Sequence, residues 1–177
     1  SIKVDKLIEN EYVDELLDAG LICAVELKAL SYLARAEQCY SGLKRKLMEK
    51  KYNELYIEKA LDYLVDINYL NDERFSEAWL HDRKINHNEG RGKLQKELLS
   101  RGIDKKVASA AIENFFIEND ELLICKKAYD KFVKRGKKDD KLIAALLNAG
   151  FSYKMIKQII EEEKSNEIEI NEQFLKD

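Results

Sequence analysis

Apolar residues recur along this chain with one cadence, three times over. The first copy reads Leu43, Leu47, Tyr52, Ile57 and Leu61. The second reads Leu94, Leu98, Ile103, Val107 and Ile112, and the third Leu142, Leu146, Phe151, Met155 with Ile156, and Ile160. In each copy two leucines lie four apart, which puts them on one face of an α-helix, and an apolar residue follows five later. A step of five breaks the helical stripe, so the spacing predicts two helices joined by a tight turn. The residues filling that turn agree. Gly102 and Gly150 suit the left-handed conformation that closes a helix. Asp104 and Ser152 are placed to cap the next helix, and Asn53 does the same in the first copy. There Lys51 replaces the glycine, and it either ends its helix without a left-handed turn or adopts one under strain.

A further helix precedes each pair, marked by Leu30 and Leu33, then by Phe75, Ala78 and Trp79, then by Ala128, Tyr129 and Phe132. Each unit therefore reads helix, short turn, helix, tight turn, helix, and equivalent positions recur every 48–51 residues. A period of that size marks an array whose neighbours complete each other's cores. One buried Leu or Ile contributes roughly 1.5–3 kcal/mol, so a unit with five or six of them is marginal alone. The expected fold is all-α: an elongated, curved array of three tandem three-helix, helix-turn-helix-like repeats with an extra N-terminal helix. Its segments are an N-terminal helical extension over 1–23, repeats over 24–69, 70–119 and 120–164, and an acidic tail over 165–177. In the extension Leu7, Ile8, Tyr12, Val13, Leu16 and Leu17 precede Gly20, which predicts a helix closed there and covering the first repeat's exposed face. The tail reads as a short helix or a disordered segment.

Composition sharpens this picture. The 177 residues include no proline and only seven glycines, and no period-two run bounded by turn residues stands out, so strands are not expected. The 37% charged fraction needs a large solvated surface, which many short amphipathic helices supply. No uncharged stretch of about 18 apolar residues offers a membrane span, and Ser1–Asp5 begin no signal-peptide core. Cys23, Cys39 and Cys125 are odd in number and lack CxxC spacing. Reduced thiols in a cytoplasmic protein are the expectation. Charge is polarised: residues 1–40 carry net −4, residues 41–160 net +6, and residues 161–177 net −5. A mildly basic body permits contact with a polyanion or an acidic protein groove without marking a dedicated DNA-coating protein.

Reactive chemistry is not assembled by the sequence. His81 and His87 lie six apart, not at the i, i+3 or i+4 spacing of helical metal ligands. Asp139 and Asp140 suit a helix start, where they complement the macrodipole. Gly90-Arg91-Gly92 lacks both the GxxxxGK[ST] pattern and a preceding strand. No enzyme, cofactor, metal or small-molecule substrate is expected.

The words along this framework resemble the RecX family over positions 26–163. They run Ala29-Leu30-Ser31-Tyr32-Leu33-Ala34-Arg35, then Leu43-Lys44-Arg45-Lys46-Leu47, then Tyr69-Leu70-Asn71-Asp72-Glu73-Arg74-Phe75. Gly92-Lys93-Leu94-Gln95-Lys96-Glu97-Leu98 leads to Arg101-Gly102-Ile103-Asp104, and Gly150-Phe151-Ser152-Tyr153 with Ile156-Lys157 follows. Asn68 stands where the family usually has a turn glycine, Asn71 where it often has aspartate, and Ser76 replaces a usual alanine. The resemblance implies a negative modulator of the RecA recombinase, lying in the groove of the RecA–single-stranded-DNA filament and inhibiting ATP hydrolysis and strand exchange in recombination and SOS repair. RecA in filament form is then the partner, with weak binding to single- or double-stranded DNA beside it. Contacts are expected from basic residues of the second and third helices of the units. These are Lys44, Arg45, Lys50 and Lys51; Arg83, Lys84, Arg91, Lys93, Lys96 and Arg101; and Lys134, Arg135, Lys137, Lys138 and Lys141. The second set is the best placed, because Gly90 and Gly92 flank Arg91 at a helix start whose backbone N–H groups favour anions. Two rivals share the same helices: a direct DNA binder of helix-turn-helix type, and a scaffold of another pathway.

Overall fold

The computed structural model describes the backbone of residues 10–174 and the side chains of residues 12–165. Among the described residues there are nine α-helices and no strand. They form three successive sets of three: α1 (Asn10–Leu33), α2 (Tyr40–Glu49) and α3 (Glu54–Asp66); α4 (Asp72–Asn86), α5 (Arg91–Ser100) and α6 (Lys105–Glu118); α7 (Glu121–Lys134), α8 (Asp139–Asn148) and α9 (Tyr153–Phe174). The fold is thus all-α and built from tandem three-helix repeats.

The chain divides into two compact units. One comprises the chain up to Phe75 with Arg101–Ile103, and the other Ser76–Ser100 with the chain from Asp104 onward. In the first, Val25 and Ala29 of α1 meet Leu43 and Leu47 of α2, Ile57, Ala60, Leu61 and Leu64 of α3, and Leu70 beyond it. The Gly102 turn belongs to this unit and lies close to Ser41, so that an added Cβ would come within 2.3 Å of the Ser41 hydroxyl. In the second unit, Leu80, Leu94, Leu98, Ala108, Ala111, Ile112 and Phe116 are buried in α4, α5 and α6. Cys125 and Ala128 of α7 pack with Leu142, Leu146, Ala149, Phe151, Ile156 and Ile159.

The expected caps form. Asn53 accepts the Leu55 N–H, Asp104 the Lys106 N–H, and the Ser152 hydroxyl the Met155 N–H. Gly150 (φ 92°) closes α8 in a Schellman motif: its N–H bonds the Leu147 carbonyl and the Phe151 N–H bonds that of Leu146. Lys51, at the equivalent place after α2, adopts the left-handed turn at φ 66° despite its Cβ. Asn68 (φ 58°) closes α3 in the same way. That backbone explains why a turn glycine suits its position, and why asparagine, which tolerates this region, replaces it.

Three expectations need correction. Gly20 does not end a helix: α1 is continuous from Asn10 to Leu33, since one helical glycine costs only about 1 kcal/mol. Tyr12, Leu16 and Leu17 on its early turns do not cover the first repeat but face solvent; Leu7 and Ile8 lie outside the described residues. In α4 the buried positions are Ser76 and Leu80, one residue on from the expected stripe, while Phe75 and Trp79 are half-buried and Ala78 is exposed. A fully buried Ser76 demands a small side chain, which is the reason alanine also suits that position. The acidic tail continues α9, which runs to Phe174.

Candidate partner-binding surface

The Gly90-Arg91-Gly92 segment starts α5 with its amide groups aimed at other parts of the same unit. Gly90 N–H donates to the Ala149 carbonyl (2.9 Å) and Gly92 N–H to the Gly150 carbonyl (3.1 Å). Arg91 N–H donates to Glu121 Oε1 at 3.0 Å. The helix start therefore does hold an anion, but the anion is the protein's own carboxylate. Glycine is required by contact: a Cβ on Gly90 would lie 2.6 Å from the Gly150 oxygen, and one on Gly150 would lie 2.3 Å from Lys93 N.

The side chains complete this joint. Arg91 Nε reaches Glu121 Oε2 at 2.9 Å and its Nη1 reaches Glu113 Oε2 at 2.6 Å, while the guanidinium stacks 4.6 Å from the Phe116 ring centroid. Glu89, its side chain only 6% exposed, accepts from Arg83 Nε at 2.6 Å and from Lys93 Nζ at 2.7 Å. Burial alone would raise the Glu89 carboxyl, but the hydrogen bonds from Arg83 and Lys93 outweigh it and hold the group below its ordinary range. Donating to the Glu89 carboxylate in turn raises Arg83. Burial opposes the charge on Arg91, yet Glu113 and Glu121 hold its titration above the ordinary arginine value. Lys44 is likewise tied, to Glu54 at 2.8 Å and Glu58 at 2.7 Å, and hydrogen bonding to Glu54 and Glu58 raises it. Arg101 is half-buried in the α5–α6 turn, its carbonyl 3.6 Å from the Cys39 thiol.

The remaining candidates face solvent. Arg45 lies on α2, with Lys50 and Lys51 at its end; Lys84 ends α4 and Lys96 lies on α5. Lys134 closes α7, Arg135 and Lys137 form the turn, Lys138 precedes α8, and Lys141 sits in its first turn, all exposed. Among the described residues Lys134, Arg135, Lys138 and Lys141 have no ion-pair partner, whereas Lys137 lies 5.7 Å from the Phe132 ring. Lys131, exposed in the last turn of α7, extends this patch and escaped the sequence reading. Its lysine-rich run was visible, but not which lysines share a face with the turn. The placement also corrects the helix assignment: Arg83, Lys84 and Lys134 stand at the ends of first helices, not on second or third ones.

Among the described residues, no group of three or more His, Cys, Asp or Glu could hold a metal, and no helix is long and apolar enough to cross a membrane. A family model described as RecX, second three-helix domain, matches residues 71–112, from the start of α4 into α6. The regulatory protein RecX of Treponema pallidum (strain Nichols) is 30% identical over 135 residues, covering 76% of this chain and 82% of that protein. The chain belongs to the RecX family. The regulatory protein RecX of Clostridium perfringens (strain 13 / Type A) is 26% identical over 173 residues, 94% of this chain and 81% of that one. The crystal structure of RecX from Lactobacillus salivarius matches with a TM-score of 0.70 at 25% identity, over 81% of this chain and 97% of that one. A second crystal structure of a regulatory protein RecX matches in fold, with a TM-score of 0.78 at 19% identity, over 88% of this chain and 79% of that one. This RecX-family chain is therefore placed among regulatory proteins and not in a known enzyme family.

Proposed function

We propose that this RecX-family protein is a negative modulator of RecA, docking in the groove of the RecA–single-stranded-DNA filament and inhibiting its ATP hydrolysis and strand exchange. Family membership carries the reading. The surface that best serves it is the exposed basic turn between α7 and α8, with Arg45 of α2 and Lys50 and Lys51 just past its end as a second foothold. Lys44, Arg83, Arg91 and Lys93, by contrast, already neutralise carboxylates of this chain, so their charge is largely spent internally. Several weak contacts presented by one chain act together through effective concentration. Preference for assembled filament over free subunits then shifts the filament population by that difference in affinity. The same turn makes weak, salt-sensitive contacts with DNA phosphates. RecA's DNA-dependent ATP hydrolysis, followed as this protein is titrated in, tests the reading. Hydrolysis falls as the protein approaches stoichiometry with RecA; hydrolysis unchanged in excess refutes it.

A further inference from the structure

The α1 helix presents a long apolar face on the side away from its own core. Val25 and Ala29 point into the first unit's core and define the inward direction. At 3.6 residues per turn, Val13, Leu16, Gly20, Cys23 and Leu27 line the opposite side, with Leu17 and Ala24 beside them. Leu16 is 61% exposed, Leu17 59% and Leu27 64%. Their three–four alternation is the spacing of a helix-pairing seam. Between Tyr12 and Leu27 the charged residues are Asp14, Glu15, Asp18 and Glu26, and none falls on that side. The acids cluster instead around the inward direction, where Asp18 accepts a hydrogen bond from the Tyr56 hydroxyl at 2.6 Å. An amphipathic helix normally turns its polar side outward. Here the uncharged side is outward, over a length of about 22 Å.

We propose that this face is the contact between two copies of the chain, their α1 helices packed antiparallel and crossing at Gly20. Three features select a second copy. With Gly20 opposite its mate, Val13 faces the mate's Leu27, and Leu16 and Leu17 face the mate's Ala24 and Cys23. Large residues then fill the spaces over small ones, the arrangement that packs without voids. Both orientations bring the two Gly20 together, but a parallel pair would also set Cys23 and Ala24 against their own counterparts and leave a gap beside the crossing. The charge pattern agrees, because the acids lie off the seam and two copies meet without like-charge contact, while antiparallel macrodipoles attract. The area also fits: a patch on the order of 600 Å² per copy is as large as a monomer normally leaves open. Doubling it to roughly 1,200 Å² reaches the lower edge of specific interfaces, so the dimer is one that dissociates on dilution.

Sedimentation velocity of the full chain, from low micromolar to several hundred micromolar, reads the association directly. A concentration-dependent monomer–dimer equilibrium is expected, weakened about tenfold or more by Leu16→Lys with unchanged far-ultraviolet circular dichroism. Orientation is read by cysteine crosslinking in a Cys23→Ser background, since Cys39 and Cys125 are buried. A Cβ at Gly20 meets nothing within 4 Å, so Gly20→Cys is tolerated and links two copies under mild oxidation. Val13→Cys does not, because its mate lies about 21 Å away along the antiparallel pair, beyond the roughly 7 Å a disulfide spans. A monomer at every concentration overturns the proposal, whether native Cys23 reacts freely with a thiol reagent or is shielded by another part of its own chain. Equal crosslinking of Val13→Cys and Gly20→Cys overturns it as well.

Discussion

Replacing Glu89 by glutamine removes one charge from the joint at the start of α5 and barely changes its volume. In the native protein the carboxylate holds Arg83 and Lys93 at 2.6 and 2.7 Å. Hydrogen bonds to charged groups contribute about 1.5–3 kcal/mol each. Glutamine keeps one accepting oxygen, but its amide NH₂ must then face a cation. Arg83 and Lys93 remain 24% and 36% exposed, so water recovers part of the loss and screens the rest. The net expectation is a destabilisation of about 2 kcal/mol near neutral pH. With a urea slope of about 2 kcal/mol/M, the unfolding midpoint falls by roughly 1 M. The pH dependence has a definite sign. Because folding lowers the Glu89 carboxyl, its stabilisation is fully present above the unfolded value of 4.5 and is lost as pH falls below it through the folded value. The deficit of Glu89→Gln against the parent should therefore be largest at neutral pH and shrink in acid. Urea titrations followed by circular dichroism across that range measure it. A midpoint within ~0.2 M of the parent at neutral pH, or a deficit of the same size at every pH, would refute the reasoning.

Gly90→Ala should destabilise by about 1–3 kcal/mol, because its Cβ meets a backbone oxygen that cannot turn aside; Gly20→Ala, with open space around it in a single copy, should raise the thermal midpoint at concentrations where the chain is monomeric. Lys51→Gly relieves a left-handed lysine at φ 66° and should stabilise by about 0.5–1 kcal/mol in the same melts. Lys137→Glu with Lys138→Glu should weaken inhibition of RecA's ATP hydrolysis at unchanged melting temperature. Arg91→Glu should instead lower the melting temperature itself, since it sets a third carboxylate beside Glu113 and Glu121.

What was legible beforehand was local. The leucine pairs, the Gly102 and Gly150 turns and the caps Asn53, Asp104 and Ser152 each follow from residues within a few positions of one another, and all formed. The site was not local. Arg91 looked like a free cation at a helix start, but its partners stand 22 and 30 residues away, and no periodicity announces which acid will arrive beside it. The α4 face is hidden in the sequence because a buried serine reads as polar in a pattern of apolar residues, so the apolar stripe runs through Phe75, Ala78 and Trp79 instead of Ser76 and Leu80. Gly20 misled for a related reason: glycine permits a helix end without compelling one, and the neighbouring helix formers carried α1 through it.

Gly90, Arg91 and Gly92 spend their amides on Glu121, Ala149 and Gly150, all contributed by the third set of helices. A fragment cut after residue 119, where the repeat period invites the scissors, would keep the two glycines and the guanidinium but lose every acceptor of the three amides. Three amides would open to water, and the Arg91 guanidinium would be left with Glu113 alone of its two carboxylates. Anyone shortening this protein would do better to carry helices α4 to α9 as a single cassette.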